Sequence, residues 1–165
     1  MISLKEIKNN IFNKENFYFL IIILLTFSID RYSKIKIINN FSDTRFYLND
    51  FLNLDLLWNT GIGFGLLSLE SSIYYNFLSI LIGLVIVLLI FVGIKSNKFE
   101  KFFFSMIIGG ALGNFYDRIY FNAVPDFIDL HYKNFHWFTF NLADIFITIG
   151  IIFYIFNGVL INRSK

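Results

Sequence analysis

Residues 71–94 read SSIYYNFLSILIGLVIVLLIFVGI, 24 consecutive positions without Asp, Glu, Lys or Arg. A helix of about 20 apolar residues spans the roughly 30 Å hydrocarbon layer of a bilayer, so this stretch is long enough alone. Three more charge-free stretches surround it, residues 16–29, 102–116 and 145–162, of 14, 15 and 18 residues. The two shorter ones cross only by taking in a charged residue near one end, Asp30 for the first and Asp117 for the third. The last, drawn back to full length, takes in Asp144. The pattern predicts spans over 16–34, 72–94, 102–119 and 142–162, with outer segments at 36–70 and 120–141.

Composition closes off the alternatives. The chain of 165 residues is 56% hydrophobic and 16% charged, against roughly 25% charged in an average soluble protein. Its mean hydropathy is +0.63, and its polar side chains are too few to cover a water-soluble globule. The absence of cysteine excludes disulfides, thiol catalysis and cysteine-held metal clusters. A net charge of +2 is too small to grip nucleic acid, and one proline with few charges argues against disorder. The expected fold class is all-α integral membrane: one domain, 1–165, a four-transmembrane-helix bundle with a small extracytoplasmic β-sheet between the first and second helices.

Lysine and arginine orient the bundle. The two ends and the turn at 95–101 together carry eight basic and three acidic residues, a net +5, while the remainder carries six and nine, or −3. Basic flanks stay cytoplasmic, so both termini are expected inside, and Asp30-Arg31-Tyr32 after the first span offers no signal-peptide cleavage site. Asp30, Asp117 and Asp144 then share one level toward the outer leaflet. Fifteen helical residues cover only about 22 Å, which puts these acids below the headgroups, where an ionisable group is costly and points to function.

In Gly109-Gly-Ala-Leu-Gly-Asn-Phe-Tyr-Asp-Arg118, Gly110, Gly113, Asn114 and Asp117 fall at i, i+3, i+4, i+7 and share a helix face. Small residues there admit a neighbouring helix closely. Asn141, Asp144 and Thr148 share a face of the last helix; Asn114 of the third helix and Asn141 and Thr148 of the last read as interhelical glue, and Asp30 and Lys34 form an i,i+4 pair. In the outer segment Leu52, Leu54 and Leu56 alternate with Asn53 and Asp55, the period of a half-buried strand. Asn59-Thr-Gly-Ile-Gly-Phe-Gly65 follows as a sheet-to-helix connection. The stretch 119–141 is short and aromatic, with Asp126 and Asp129 as loop acids beside His131 and His136. A metal reading would draw on His131, His136, Asp126 and Asp129, but neither His-Glu-x-x-His nor Gly-x-Ser-x-Gly occurs, so no metal and no serine nucleophile is expected. Paired carboxylates, by contrast, can share a proton, one activating water while the other polarises a carbonyl.

These pieces, in order, resemble lipoprotein signal peptidase, the bacterial signal peptidase II family of aspartyl proteases. The resemblance rests on Asp30-Arg-Tyr-Ser-Lys34, Asn59-Thr-Gly-Ile-Gly-Phe-Gly65, the 109–118 block, Val124-Pro-Asp-Phe-Ile-Asp129 and Phe140-Asn-Leu-Ala-Asp144. Pro125 stands where many members carry Val. The resemblance implies that Asp126 and Asp144 are the catalytic aspartates and that Asn114, Asp117, Arg118 and Asn141 surround them, leaving Asp129 to cap or face solvent. It implies that Asp30, Lys34, Asn59 and Gly61 support activity or integrity. The implied reaction removes the signal peptide of diacylglyceryl-modified prolipoproteins, in the inner membrane, with no cofactor and as a monomer among membrane lipid. The rival from another class is a small ion or proton transporter using the same acids. Its acids should be strung across the bilayer, whereas here they are banked at one end.

Overall fold

The computed structural model describes residues 13–42, 44–61 and 72–163. Within them pairs of strands alternate with helices. Helix α1 (Lys14–Phe41) is followed by strands β1 (Phe46–Asn49) and β2 (Leu52–Asn59), then by helices α2 (Ser72–Lys95) and α3 (Lys98–Phe121). Strands β3 (Val124–Tyr132) and β4 (Phe135–Phe140) lead into the last helix, α4 (Leu142–Arg163). Local chemistry sets the helix ends. The Asn13 side chain accepts from the Asn16 N–H at the start of α1. Asn97 and Glu100 form a reciprocal capping box at the start of α3, and Asn122 ends that helix in the left-handed region at φ 55°.

The sheet departs from the expectation of one outer hairpin between the first two helices. The strand order is β1-β2-β3-β4, antiparallel throughout, so 124–140 is a second hairpin and not a loop. Its central pair, β2 with β3, joins segments far apart in sequence, setting Asn53 opposite Asp129, Leu57 opposite Asp126 and Asn59 opposite Val124. Asp126 and Asp129 are therefore strand residues. Pro125 takes the second position of β3, opposite Trp58, and the extended geometry it favours in Val124 is that of the strand.

Two more expectations need correction. Helix α1 runs past residue 34 to Phe41, because nothing breaks the Ile35–Ile38 run and Ile37 is buried. In β2 the buried side chains are Asn53 and Asn59, while Leu52, Leu54 and Leu56 are half-exposed. Asn53 points to the buried Asp129, a polar partner the leucines lack. The connection beyond Gly61, including Gly63 and Gly65, lies outside the described residues.

Helix α3 packs against α1, α2 and α4. Phe19 and Ile23 of α1, Ile86 of α2, and Phe104 and Ile108 of α3 form the buried apolar cluster. The glycine seam expected on α3 is present and tight. A Cβ on Gly109 would sit 2.8 Å from the Ile23 carbonyl of α1, one on Gly110 would sit 2.6 Å from the Ala143 carbonyl of α4, and one on Gly113 would run into Asp30 Oδ2. Outside this frame the distribution is inverted: Asp30, Lys34 and Asp117 are fully buried, while Phe77, Ile80, Leu84, Val87 and Phe91 of α2 are exposed. Among the described residues Tyr75–Lys95 is long and apolar enough to cross a membrane by length and composition, and Leu142–Gly158 is a shorter apolar helix. Thr148, expected to be glue on α4, is exposed.

Because the atom facing Gly110 is backbone, Gly110→Ala forces α3 and α4 apart, and a loss of about 1–3 kcal/mol is expected. Gly158, with nothing within 4 Å of its added Cβ, is the control. Thermal unfolding in detergent should show a lower Tm for Gly110→Ala and none for Gly158→Ala; equal values would show that the seam yields.

Candidate active site

The site is built outward from Lys34. An ammonium has three N–H donors, and Lys34 Nζ lies 2.8 Å from Asp30 Oδ2, 2.8 Å from Asn114 Oδ1 and 2.7 Å from Asp117 Oδ2. The other carboxylate oxygens are also met. Asp30 Oδ1 accepts the Ala143 N–H of α4 at 2.9 Å, and Asp117 Oδ1 pairs with Arg31. Two acids and two bases thus cancel inside the bundle. The expected Asp30–Lys34 pair is there, and it extends to a helix 80 residues on. Arg31 was not singled out by sequence reasoning. Its guanidinium stacks over the Tyr116 ring at 4.4 Å, and its position one turn before Lys34 was the available signal.

The amide of Asn114 passes this order on. With its oxygen held by Lys34, its Nδ2 donates to Asp144 Oδ1 at 2.8 Å. Asp144 also closes a reciprocal cap on α4: its N–H donates to Asn141 Oδ1 at 3.1 Å, and the Asn141 N–H donates to Asp144 Oδ2 at 3.2 Å. That is the geometry of a capping box with Asp in place of Glu. Asn141 Nδ2, left over, donates to Asp126 Oδ1 at 2.6 Å. Asn59 Nδ2 donates to Asp126 Oδ2 at 2.8 Å, and Asn59 itself is held because its Oδ1 accepts the Gly61 N–H at 2.8 Å. Arg118 donates to the carbonyls of Asn114 and Gly61 at 3.1 and 3.3 Å.

All ten residues nominated from the sequence therefore belong to one connected network. Asp126 and Asp144 share Asn141 and line the same cavity of about 230 Å³ with Asn59, Asn114 and Arg118, against an apolar wall that includes Leu78, Ile82 and Ile147. Among the described residues neither aspartate forms an ion pair. Asp126, on β3, is pushed up to about 6, by burial first and by the Asp144 charge second, against the hydrogen bonds from Asn59 and Asn141 and the Lys34 charge. Asp129 is not part of this cavity. Expected to cap or face solvent, it is buried on β3, 2.8 Å from His136 Nδ1.

Residues 22–160 match the family model described as signal peptidase (SPase) II. The chain belongs to the signal peptidase II family. It is 49% identical over 160 residues to the lipoprotein signal peptidase of Pelagibacter ubique (strain HTCC1062), covering 94% of this chain and 96% of that one. The lipoprotein signal peptidase of Blochmanniella pennsylvanica (strain BPEN) is 40% identical over 153 residues, 87% of this chain and 89% of its own. A bacterial membrane enzyme solved at 2.3 Å superposes with a TM-score of 0.72 at 30% identity, covering 89% of this chain and 90% of that one. Family and neighbours agree on a protease located in a membrane.

Removing Lys34 leaves two buried carboxylates without their shared cation, an effect of about 3–5 kcal/mol. Lys34→Ala is expected to lower the yield of folded protein, measured by size-exclusion chromatography in detergent; full yield with lost activity would place Lys34 in substrate recognition instead. The Asp126 shift has a sign. Between pH 3.8 and about 6 the folded form keeps a proton that the unfolded chain has released. The stability contributed by this group is full below that window and is lost as pH rises through about 6. Tm measured against pH should fall across the window, and Asp126→Asn should flatten the fall.

Proposed function

We propose that the chain is a membrane aspartyl endopeptidase that removes the signal peptide from diacylglyceryl-modified prolipoproteins, cutting before the lipidated cysteine. The observation that carries this reading is one cavity lined by two carboxylates that share Asn141 and, among the described residues, have no cation of their own. Like charges facing one cavity favour a state with a single shared proton. The ionised carboxylate takes a proton from water as that water attacks the scissile carbonyl carbon, and the protonated one gives its proton to the carbonyl oxygen. The tetrahedral diol then collapses, the C–N bond breaks, and the amine nitrogen leaves with a proton from the pair. No covalent enzyme intermediate is needed, and side chains and water supply every proton in the sequence.

The surrounding bundle suits such a substrate. A signal peptide is an apolar helix and its lipid anchors the cleavage site at the membrane surface, matching a cavity whose wall includes Leu78, Ile82 and Ile147. In this reading the chain is one membrane domain, 1–165, and all four long helices cross. The charges of Asp30, Arg31, Lys34 and Asp117 cancel within the bundle and no longer oppose insertion. The basic ends face the cytoplasm of the inner membrane, and the sheet lies outside. A single copy of the chain supplies every group named, so a monomer suffices. The transporter alternative finds no support in the family.

Turnover of a lipid-modified prolipoprotein by purified protein tests the pair. Asp126→Asn and Asp144→Asn are each expected to lose at least about a hundredfold in rate, and near-normal cleavage by either would remove that residue from the mechanism.

A further inference from the structure

A second polar cluster lies on the sheet. Asp129, His131 and His136 each bring one ligating atom to within 4.8 Å of the others. Asp129 and His131 are two apart on β3 and so share a face, and Asn53 stands opposite Asp129 on β2. His136 joins them through an irregularity in β4. From the Asp129–Thr139 pair a regular ladder would set residue 137 opposite His131, but the register shifts after Leu130 and His136 takes that place. A bulge of this kind re-aims a side chain.

The cluster is built to receive something. Asp129, His131 and Asn53 are 3%, 4% and 5% exposed, yet His131 Nδ1 and Asn53 Oδ1 are buried with no hydrogen-bond partner. Buried polar atoms are ordinarily satisfied. Asp129 Oδ2 lies 2.8 Å from His136 Nδ1 and 3.7 Å from His131 Nδ1. Ligands about 2.0–2.1 Å from a tetrahedral zinc ion are about 3.3 Å from one another, between those two values. The ring of His136, with its side chain 40% exposed, is free to make the adjustment and leaves an entry path.

We propose that Asp129, His131 and His136 form a binding site for a divalent ion of the zinc class, with Asn53 Oδ1 or water in the fourth position. Two imidazoles select zinc-like ions over magnesium or calcium. The sequence reading expected no metal and set Asp126 among the possible ligands; the fold separates Asp126, whose oxygens are taken by Asn59 and Asn141. The ion would pin β4 to β3 at the end of the sheet away from Asp126, and the proposal stands whether or not the peptidase reading holds.

Tag-free protein in detergent, stripped with a chelator and titrated with zinc chloride in a calorimeter, is expected to bind one ion per chain saturably. His136→Ala changes a partly exposed side chain and should keep its fold while weakening binding at least about tenfold, since losing even an outer-shell partner of a metal ligand costs that much. Asp129→Asn should do the same, and Asp55→Asn, an exposed acid on β2, should not. Zinc should raise the Tm of the unaltered protein and leave that of His136→Ala in place. Absence of saturable binding, or binding that His136→Ala or Asp129→Asn leaves intact, would overturn the site.

Discussion

The ammonium of Lys34 is the constraint on which the rest of the bundle depends. A charge with no exposure persists only when it is paired and hydrogen-bonded, and here Asp30 one turn back in α1 and Asn114 on α3 accept from it while Asp117 on α3 pairs with it. To meet it the two helices must approach closely, which the side-chain-free edge at Gly109 and Gly113 allows. The fourth helix is tied to the same knot by the Ala143 N–H on Asp30. Apolar packing of Phe19, Ile23, Ile86, Phe104 and Ile108 supplies attraction without direction. The buried ions supply the register.

The sheet solves a different problem. Asp126 and Asp144 come from opposite ends of the β3–β4 hairpin, and Asn59 comes from the other hairpin altogether. Pairing of β2 with β3 carries the Asn59 amide to Asp126, so a carboxylate outside the helices receives two directed donors without a cation. An acid held only by amides keeps its basicity. Asp117, between Lys34 and Arg31, is instead held by charge. Within one connected network the two kinds of carboxylate are thereby set to different tasks.

Much of this was legible in the chain. Gly110, Gly113, Asn114 and Asp117 announce a seam by helical spacing alone, and Asp30–Lys34 announces an ion pair. What spacing cannot show is reach. The Lys34–Asp117 contact joins residues with no local relation, and only folding chooses it. The second hairpin was missed for a related reason. In Val124–Tyr132 both faces mix apolar and polar side chains, because one end serves the cavity and the other the histidine cluster. No clean alternation survives. The burial of Asn53 in place of its leucine neighbours was hidden likewise, since its partner Asp129 lies on a strand far along the chain. The choice of Asp126 over Asp129 came from family resemblance, and the geometry gives each a distinct set of neighbours.

The reciprocal bonds between Asn141 and Asp144 have a mechanical corollary. The same carboxylate that faces the cavity also fastens the opening turn of α4, and whatever draws its oxygens toward a peptide carbonyl slackens that fastening. In the proposed reaction, each proton transfer at the cavity would be felt at the opening turn of α4 and handed through Asn141 to the strand that bears Asp126. The two halves of the machinery are geared to one another by a single amide.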